Sequence, residues 1–122
     1  MNNSVEVDAL FVGAHRDDVE ITCGGTIRKL VDLGYKAAIL DLTKGEMGSR
    51  GSEEIREVES GCAAKVLGVK KRLNLGLPDA FIENTRENRL KVVGIIRELR
   101  PYLLSECRMH IRNSLRHTMY IK

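Results

Sequence analysis

The sequence predicts an α/β fold: a three-layer, Rossmann-like parallel sheet. Three short apolar runs, at residues 8–14, 36–42 and 72–75, alternate with three helical patterns. Nearly continuous apolar runs are typical of parallel strands that are covered on both faces. Strands that alternate regularly with helices favour one half of a doubly wound sheet. At 122 residues, the chain is expected to form one domain with a real core.

Each helical pattern has a start or a stop signal. The first helix is expected over residues 22–33, with Gly34 as its C-terminal cap, and the second begins after Ser52 and closes at Gly68. The third is expected over residues 85–99. Apolar residues at helical spacing are expected to be buried, namely Ile55, Val58, Cys62, Ala63 and Val66 in the second helix and Leu90, Val93, Ile96 and Leu99 in the third.

The pattern changes after Pro101. A fourth buried strand begins with Tyr102, Leu103 and Leu104, but residues 105–114 show neither strand alternation nor a helical stripe. Residues 1–99 hold 15 basic against 16 acidic side chains, whereas residues 100–122 hold five against one. We therefore expect a domain over residues 1–104 and an aberrant basic tail over residues 105–122, from a truncated or frameshifted reading frame.

Composition limits the classes of function. No charged segment followed by an apolar segment resembles a signal peptide, and no apolar run approaches membrane length, so a cytoplasmic protein with no membrane partner is expected. Cys23, Cys62 and Cys107 are odd in number and lack paired spacing, which argues against a disulfide framework. The basic tail has few aromatic residues and no recognised motif, so no nucleic-acid partner is expected. The sequence is compatible with a homo-oligomer.

The most informative residues follow the first strand. His15, Asp17 and Asp18 lie in a polar turn between that strand and the first helix, at the edge where α/β sheets bind ligands. Imidazole nitrogen and carboxylate oxygen are ligands that zinc accepts. The alternative is that the two aspartates only cap the helix. For Glu20 there are two equal interpretations: it supports the site, or it is simply exposed to solvent.

Other polar residues follow the later strands. Asp41 ends the second strand, where it is either an orienting group for His15 or an ordinary exposed residue. Arg56 opens the second helix and can reach a polar substrate in the crevice, while Asn74 and Asp79 flank the carboxyl end of the third strand. A dinucleotide-binding fingerprint is absent, because no GxGxxG pattern occurs.

Three stretches in order, GAHRDDVEITCGGTIRKLVDLGY, DLTKGEMGSRGSEEIR and NLGLPD, resemble the PIG-L/LmbE-like zinc deacetylases. The similarity runs from residue 7 to about residue 104 and is strongest to the bacillithiol biosynthesis deacetylases. The resemblance implies the N-terminal half of the family fold, with zinc as cofactor. It also implies an amide hydrolase that removes acetyl from an N-acetylglucosaminyl conjugate, such as N-acetylglucosaminyl malate.

By this resemblance, His15 and Asp18 match two metal ligands, Asp17 matches the general base, and Arg56 matches a substrate-binding arginine. Asp79 is a further candidate for substrate contact. The family proline is Arg16 here. The family's later His-Pro-Asp-His motif, which supplies a third ligand and a helper histidine, has no full counterpart, and only His117 is a candidate helper. The competing hypothesis is a noncatalytic small-molecule-binding fragment of the same fold.

Overall fold

The computed structural model describes residues 6–45 and 52–107. Its elements in chain order are β1 (Ala9–Gly13), α1 (Asp18–Asp32), β2 (Ala37–Thr43), α2 (Glu53–Leu67), β3 (Lys71–Leu77), α3 (Arg86–Leu99) and β4 (Leu103–Cys107). The four strands form one parallel sheet in the order β3-β2-β1-β4. The predicted α/β class is confirmed.

Apolar side chains cover both faces of the sheet, as three layers require. One face packs against α3, through a cluster that includes Leu10, Leu40, Val92 and Leu99. The other face packs chiefly against α1, through a cluster that includes Phe11 and Ile27. Because successive strand residues point to opposite faces, Leu10 and Phe11 belong to different layers.

The polar turn lies at the carboxyl edge of the two central strands. Every residue of β1 and β2 is buried, and Gly13 pairs in register with Asp41. The turn is fixed to the end of β2 because the backbone amide and hydroxyl of Thr43 each donate a hydrogen bond of 3.0 Å to the carbonyl of Ala14. The site residues therefore extend from the most buried part of the molecule.

The first helix begins earlier than its apolar pattern predicts. α1 begins at Asp18 rather than at residue 22, so residues 18–21 of the polar turn already belong to the helix. Asp18 and Glu20 occupy its first turn, where acidic groups interact favourably with the positive end of the helix dipole. The helix start is polar, and hydrophobic periodicity therefore does not reveal it.

The predicted stripe of α2 is wrong, and that of α3 is partly wrong. Ile55, Val58 and Val66 are all more than half exposed, and only Ser60 of α2 is buried. Leu90 of α3 is exposed, whereas Val92 and Leu99 are buried. A stripe at helical spacing shows which face is apolar, but α2 flanks the edge of this sheet, where few described residues can cover it.

The fourth strand also differs from its prediction. β4 extends to Cys107, so residues 105–107 continue the sheet instead of ending it. Leu103 and Leu104 are 48% and 42% exposed, and β4 is at the edge of the sheet that the described residues form. The predicted aberrant tail lies otherwise outside the described residues. Within the described part of the chain, no helix is long and apolar enough to cross a membrane.

Candidate active site

His15 is held between two aspartates at the carboxyl edge of the sheet. Its Nε2 donates a hydrogen bond of 2.5 Å to Oδ1 of Asp79, and its Nδ1 lies 3.6 Å from Oδ2 of Asp18. The backbone amide of His15 also donates to Oδ2 of Asp18, at 3.0 Å. Asp79 is 5% exposed, and its Oδ1 also accepts the backbone amide of Ala80 at 2.9 Å. The imidazole is therefore held in one orientation by fixed acceptors.

The charge around His15 favours a cation. The side-chain contact with Asp18, followed by that with Asp79, raises the pKa of His15 to about 9, although burial opposes this. Of the two contacts, that with Asp79 is the shorter and better formed. Two carboxylates around one imidazole make this edge of the sheet a place where positive charge is stabilised.

Asp17 occupies the N-cap position of α1 but does not act as a cap. Its backbone lies in the left-handed region, with φ of 88°, and its side chain makes no capping hydrogen bond. Left-handed backbone is uncommon for a residue other than glycine and costs free energy. Asp17 is exposed, and in the sequence it lies between His15 and Asp18, whose side chains face each other. The capping alternative therefore does not hold for Asp17.

The His15 and Asp18 side chains fit two ligands of a zinc ion. Ligand atoms at about 2.1 Å from a tetrahedral metal lie about 3.4 Å apart, close to the 3.6 Å between Nδ1 of His15 and Oδ2 of Asp18. Asp79 then accepts a hydrogen bond from Nε2, the other imidazole nitrogen. This is the usual arrangement for a carboxylate that orients a ligand histidine. Within residues 6–45 and 52–107, no group of three suitable side chains could hold a metal. The described residues could thus supply two ligands of a zinc ion, but not a complete set.

The two arginines near the turn have different surroundings. Arg16, at the position of the family proline, is buried and donates a hydrogen bond of 3.2 Å to the carbonyl of Glu53 at the start of α2. This contact joins the turn to α2. A proline at residue 16 could not make it, because its side chain has no hydrogen-bond donor. Arg56 of α2 is half-buried and donates to the carbonyl of Gly45, which ties α2 to the chain that follows β2.

A buried ionic cluster, which sequence reasoning missed, joins α1 to the sheet. Nε and Nη2 of Arg72 donate to the two carboxylate oxygens of Asp41 at 2.8 and 3.0 Å, and Nη1 donates to the carbonyl of Ser60. Glu20 of α1 lies 2.9 Å from Nη2, an ion-pair distance, but outside hydrogen-bond geometry. Burial raises the pKa of Asp41, whereas the hydrogen bonds from Arg72 oppose this. An arginine within an apolar strand was the signal for this cluster.

The structure brings together only some of the predicted site residues. His15, Asp18 and Asp79 form one contact group, and Asp17 lies within the same turn. Asp41 is buried against Arg72 instead of lying exposed. The candidate helper His117 lies outside the described residues.

Comparisons with known proteins identify the family. The sequence profile of the GlcNAc-PI de-N-acetylase family, PIG-L, matches residues 10–118. A diacetylchitobiose deacetylase of Thermococcus kodakarensis is 39% identical over 99 residues, which cover 75% of this chain and 37% of that protein. A 1D-myo-inositol 2-acetamido-2-deoxy-alpha-D-glucopyranoside deacetylase of Segniliparus rotundus is 38% identical over 68 residues, 56% of this chain and 22% of that one.

The solved structures agree with the sequence comparisons. A conserved protein from Thermus thermophilus superposes with a TM-score of 0.77 and 45% identity, over 80% of this chain and 44% of that chain. The chain thus spans less than half the length of each of these relatives. Because the profile covers most of the chain, from β1 onwards, we conclude that the chain belongs to the PIG-L family of de-N-acetylases.

Proposed function

We propose that this chain provides the catalytic edge of a zinc-dependent N-deacetylase that acts on an N-acetylglucosaminyl conjugate. The family and the names of its relatives support this proposal, since both relatives are deacetylases of acetamido sugars. N-acetylglucosaminyl malate is the first substrate to test, because the sequence resembles the bacillithiol biosynthesis deacetylases.

The arrangement of His15 is the observation that carries the proposal. Its Nδ1 and Oδ2 of Asp18 are spaced as two ligands of one metal ion, while Asp79 holds Nε2. A zinc ion held by His15 and Asp18 would supply the Lewis acid that activates water and polarises the acetyl carbonyl.

Asp17 is the proposed general base. Its exposed carboxylate takes a proton from a water molecule as the water oxygen bonds to the acetamide carbon. The same carboxyl then returns the proton to the departing nitrogen as the carbon–nitrogen bond breaks, which yields acetate and a free amine. His117 is the proposed helper for this second proton transfer.

Substrate contacts are assigned to the residues around the crevice. Arg56 is the proposed sugar-binding cation, and its contact with the carbonyl of Gly45 supports a position near the carboxyl edge. The substrate contact predicted for Asp79 stays a prediction. Its burial and its bond to His15 support a positioning role for this aspartate.

The test measures acetate release from N-acetylglucosaminyl malate and from diacetylchitobiose, after chelation and after re-addition of zinc. We expect zinc-dependent release, which Asp17→Asn abolishes while zinc binding is retained. Asp32→Asn, which removes an exposed carboxylate at the other end of α1, is the matched control. It should leave both acetate release and zinc binding unchanged. Asp17→Asn with full turnover would disprove the assignment of the base.

The second candidate is a noncatalytic module that binds acetamido sugars. The absence of a third ligand among the described residues favours it. Saturable sugar binding without acetate release, at any zinc concentration, would support this candidate over the hydrolase. Acetate release that requires both His15 and Asp17 would exclude it.

A further inference from the structure

Two cysteines from distant parts of the chain meet in the layer between the sheet and α1. Sγ of Cys23 in α1 lies 2.8 Å from Sγ of Cys107 at the end of β4, although 84 residues separate them in the sequence. No disulfide joins them in the structure, and the third cysteine, Cys62 of α2, is exposed. The two sulfurs would need to approach by less than about 1 Å to reach a covalent distance of about 2.05 Å.

The surroundings of the two thiols are unequal. Cys107 is 4% exposed within the apolar cluster under α1, whereas Cys23 is partly exposed at the rim of that cluster. The hydroxyl of Thr22 lies 3.5 Å from Sγ of Cys23. Burial, and next the contact with Cys23, raise the pKa of Cys107 to about 12. A small oxidant therefore reaches Cys23 first, with Cys107 directly behind it.

The pair also lies close to the candidate site. Cys107 is in register with Gly13, two residues before His15, and Cys23 lies in the helix that Asp18 begins. A covalent bond between them would join α1 to the edge strand β4 beside the polar turn. The alternative is that the two thiols only fill space in the apolar layer, as buried cysteines often do.

We propose that Cys23 and Cys107 form a redox-active dithiol that closes to an intramolecular disulfide when it reacts with a small-molecule disulfide. The Cys23 thiolate attacks one sulfur of the oxidant, forms a mixed disulfide and releases one thiol. The Cys107 thiol then loses its proton as its sulfur attacks the sulfur of Cys23, and the second thiol is released. The protein loses two electrons, and the two cysteine protons end on the released thiols.

The experiment equilibrates the intact, reduced chain with glutathione disulfide, traps free thiols by alkylation and maps the tryptic peptides. We expect a monomer in which the peptide of residues 17–28 is linked to that of residues 98–108, with Cys62 alkylated in the peptide of residues 57–65. Cys62→Ser should form the same link, whereas Cys23→Ser should not. Three alkylated cysteines, a stable glutathione adduct on Cys23, or a link to Cys62 would each overturn the proposal.

Thermal unfolding gives a second readout that does not depend on the variants. Closing a loop of 84 residues restricts the unfolded chain, so the oxidised protein should melt about 10 °C or more above the reduced protein. Dithiothreitol should reverse the shift. An oxidised form that contains the link but melts at or below the reduced form would contradict the proposed pre-formed geometry.

Discussion

The central strands and the edge strands of the sheet differ in how they are held. Every residue of β1 and β2 is buried, whereas most residues of β3 and β4 are half-buried or exposed. The proposed metal ligands follow the central strand β1, but Asp79, which orients His15, follows the edge strand β3. The geometry of the site therefore depends on a strand that burial alone holds weakly.

The buried ionic cluster compensates for this weakness. Arg72 of β3 is bound to Asp41 of β2 and to Glu20 of α1, so it fixes the edge strand both to the centre of the sheet and to the helix of the site. Breaking a buried pair by removing one partner is strongly destabilising, because the remaining charges lose their counterion. The cluster is thus expected to hold β3 in place where hydrophobic burial does not.

The largest effect is expected from Arg72→Met. Removing the guanidinium takes away the cation that is paired with the carboxylates of Asp41 and Glu20, which should lower the free energy of unfolding by about 3–5 kcal/mol. Arg28→Met, which breaks an exposed pair with Asp32, is the matched control and should cost less than about 1 kcal/mol. Urea denaturation measures both, and equal losses would show that β3 does not depend on the cluster.

A second test compares register partners on the central and edge strands. Leu10 of β1 is fully buried and pairs with Leu104 of β4, which is 42% exposed. Leu10→Ala should lower the free energy of unfolding by about 2–5 kcal/mol, because it removes buried apolar volume. Leu104→Ala should cost about 1 kcal/mol or less. A cost for Leu104→Ala as large as that for Leu10→Ala would show that β4 is covered as fully as β1.

Asp79→Asn tests the link between edge strand and site. Loss of the carboxylate that orients a ligand histidine should weaken zinc binding about 10–100-fold, measured by calorimetric titration. Glu83→Gln, at an exposed position nearby, should leave the affinity unchanged. Unchanged zinc affinity in Asp79→Asn would show that β3 contributes nothing to the site.

The smallest effect is expected from Asp17→Gly. Glycine adopts the left-handed backbone of residue 17 without strain, and no capping hydrogen bond is lost, so the free energy of unfolding should rise by about 0.5–1 kcal/mol. Asp18→Gly should instead destabilise, because Oδ2 of Asp18 accepts the amide of His15. A loss of stability in Asp17→Gly would show that the turn is relaxed with aspartate.

The sequence was sufficient to predict the central strands and the polar turn. Continuous apolar runs mark buried parallel strands, and the ends of such strands meet at one edge, so His15 and Asp79 could both be placed there. Their direct contact could not be predicted, since 64 residues separate them and side-chain distances do not follow from strand order.

The errors about what covers each element share one physical cause. Helical periodicity identified the apolar face of α2 but not what covers it, and Val58 and Val66 are exposed. Spacing likewise gave no sign that Cys23 meets Cys107. An arginine within an apolar strand signals a buried charge, but not that its partners are Asp41 and Glu20. Contacts between distant elements depend on the packed structure, which local patterns do not encode.

Zinc-edge anomalous diffraction from crystals soaked in zinc tests whether His15 and Asp18 hold a metal ion. We expect one strong peak at about 2.0–2.2 Å from both Nδ1 of His15 and a carboxylate oxygen of Asp18, with Asp79 still bonded to Nε2. A peak on Nε2 of His15 with Asp79 displaced, or zinc bound only away from the turn, would contradict it.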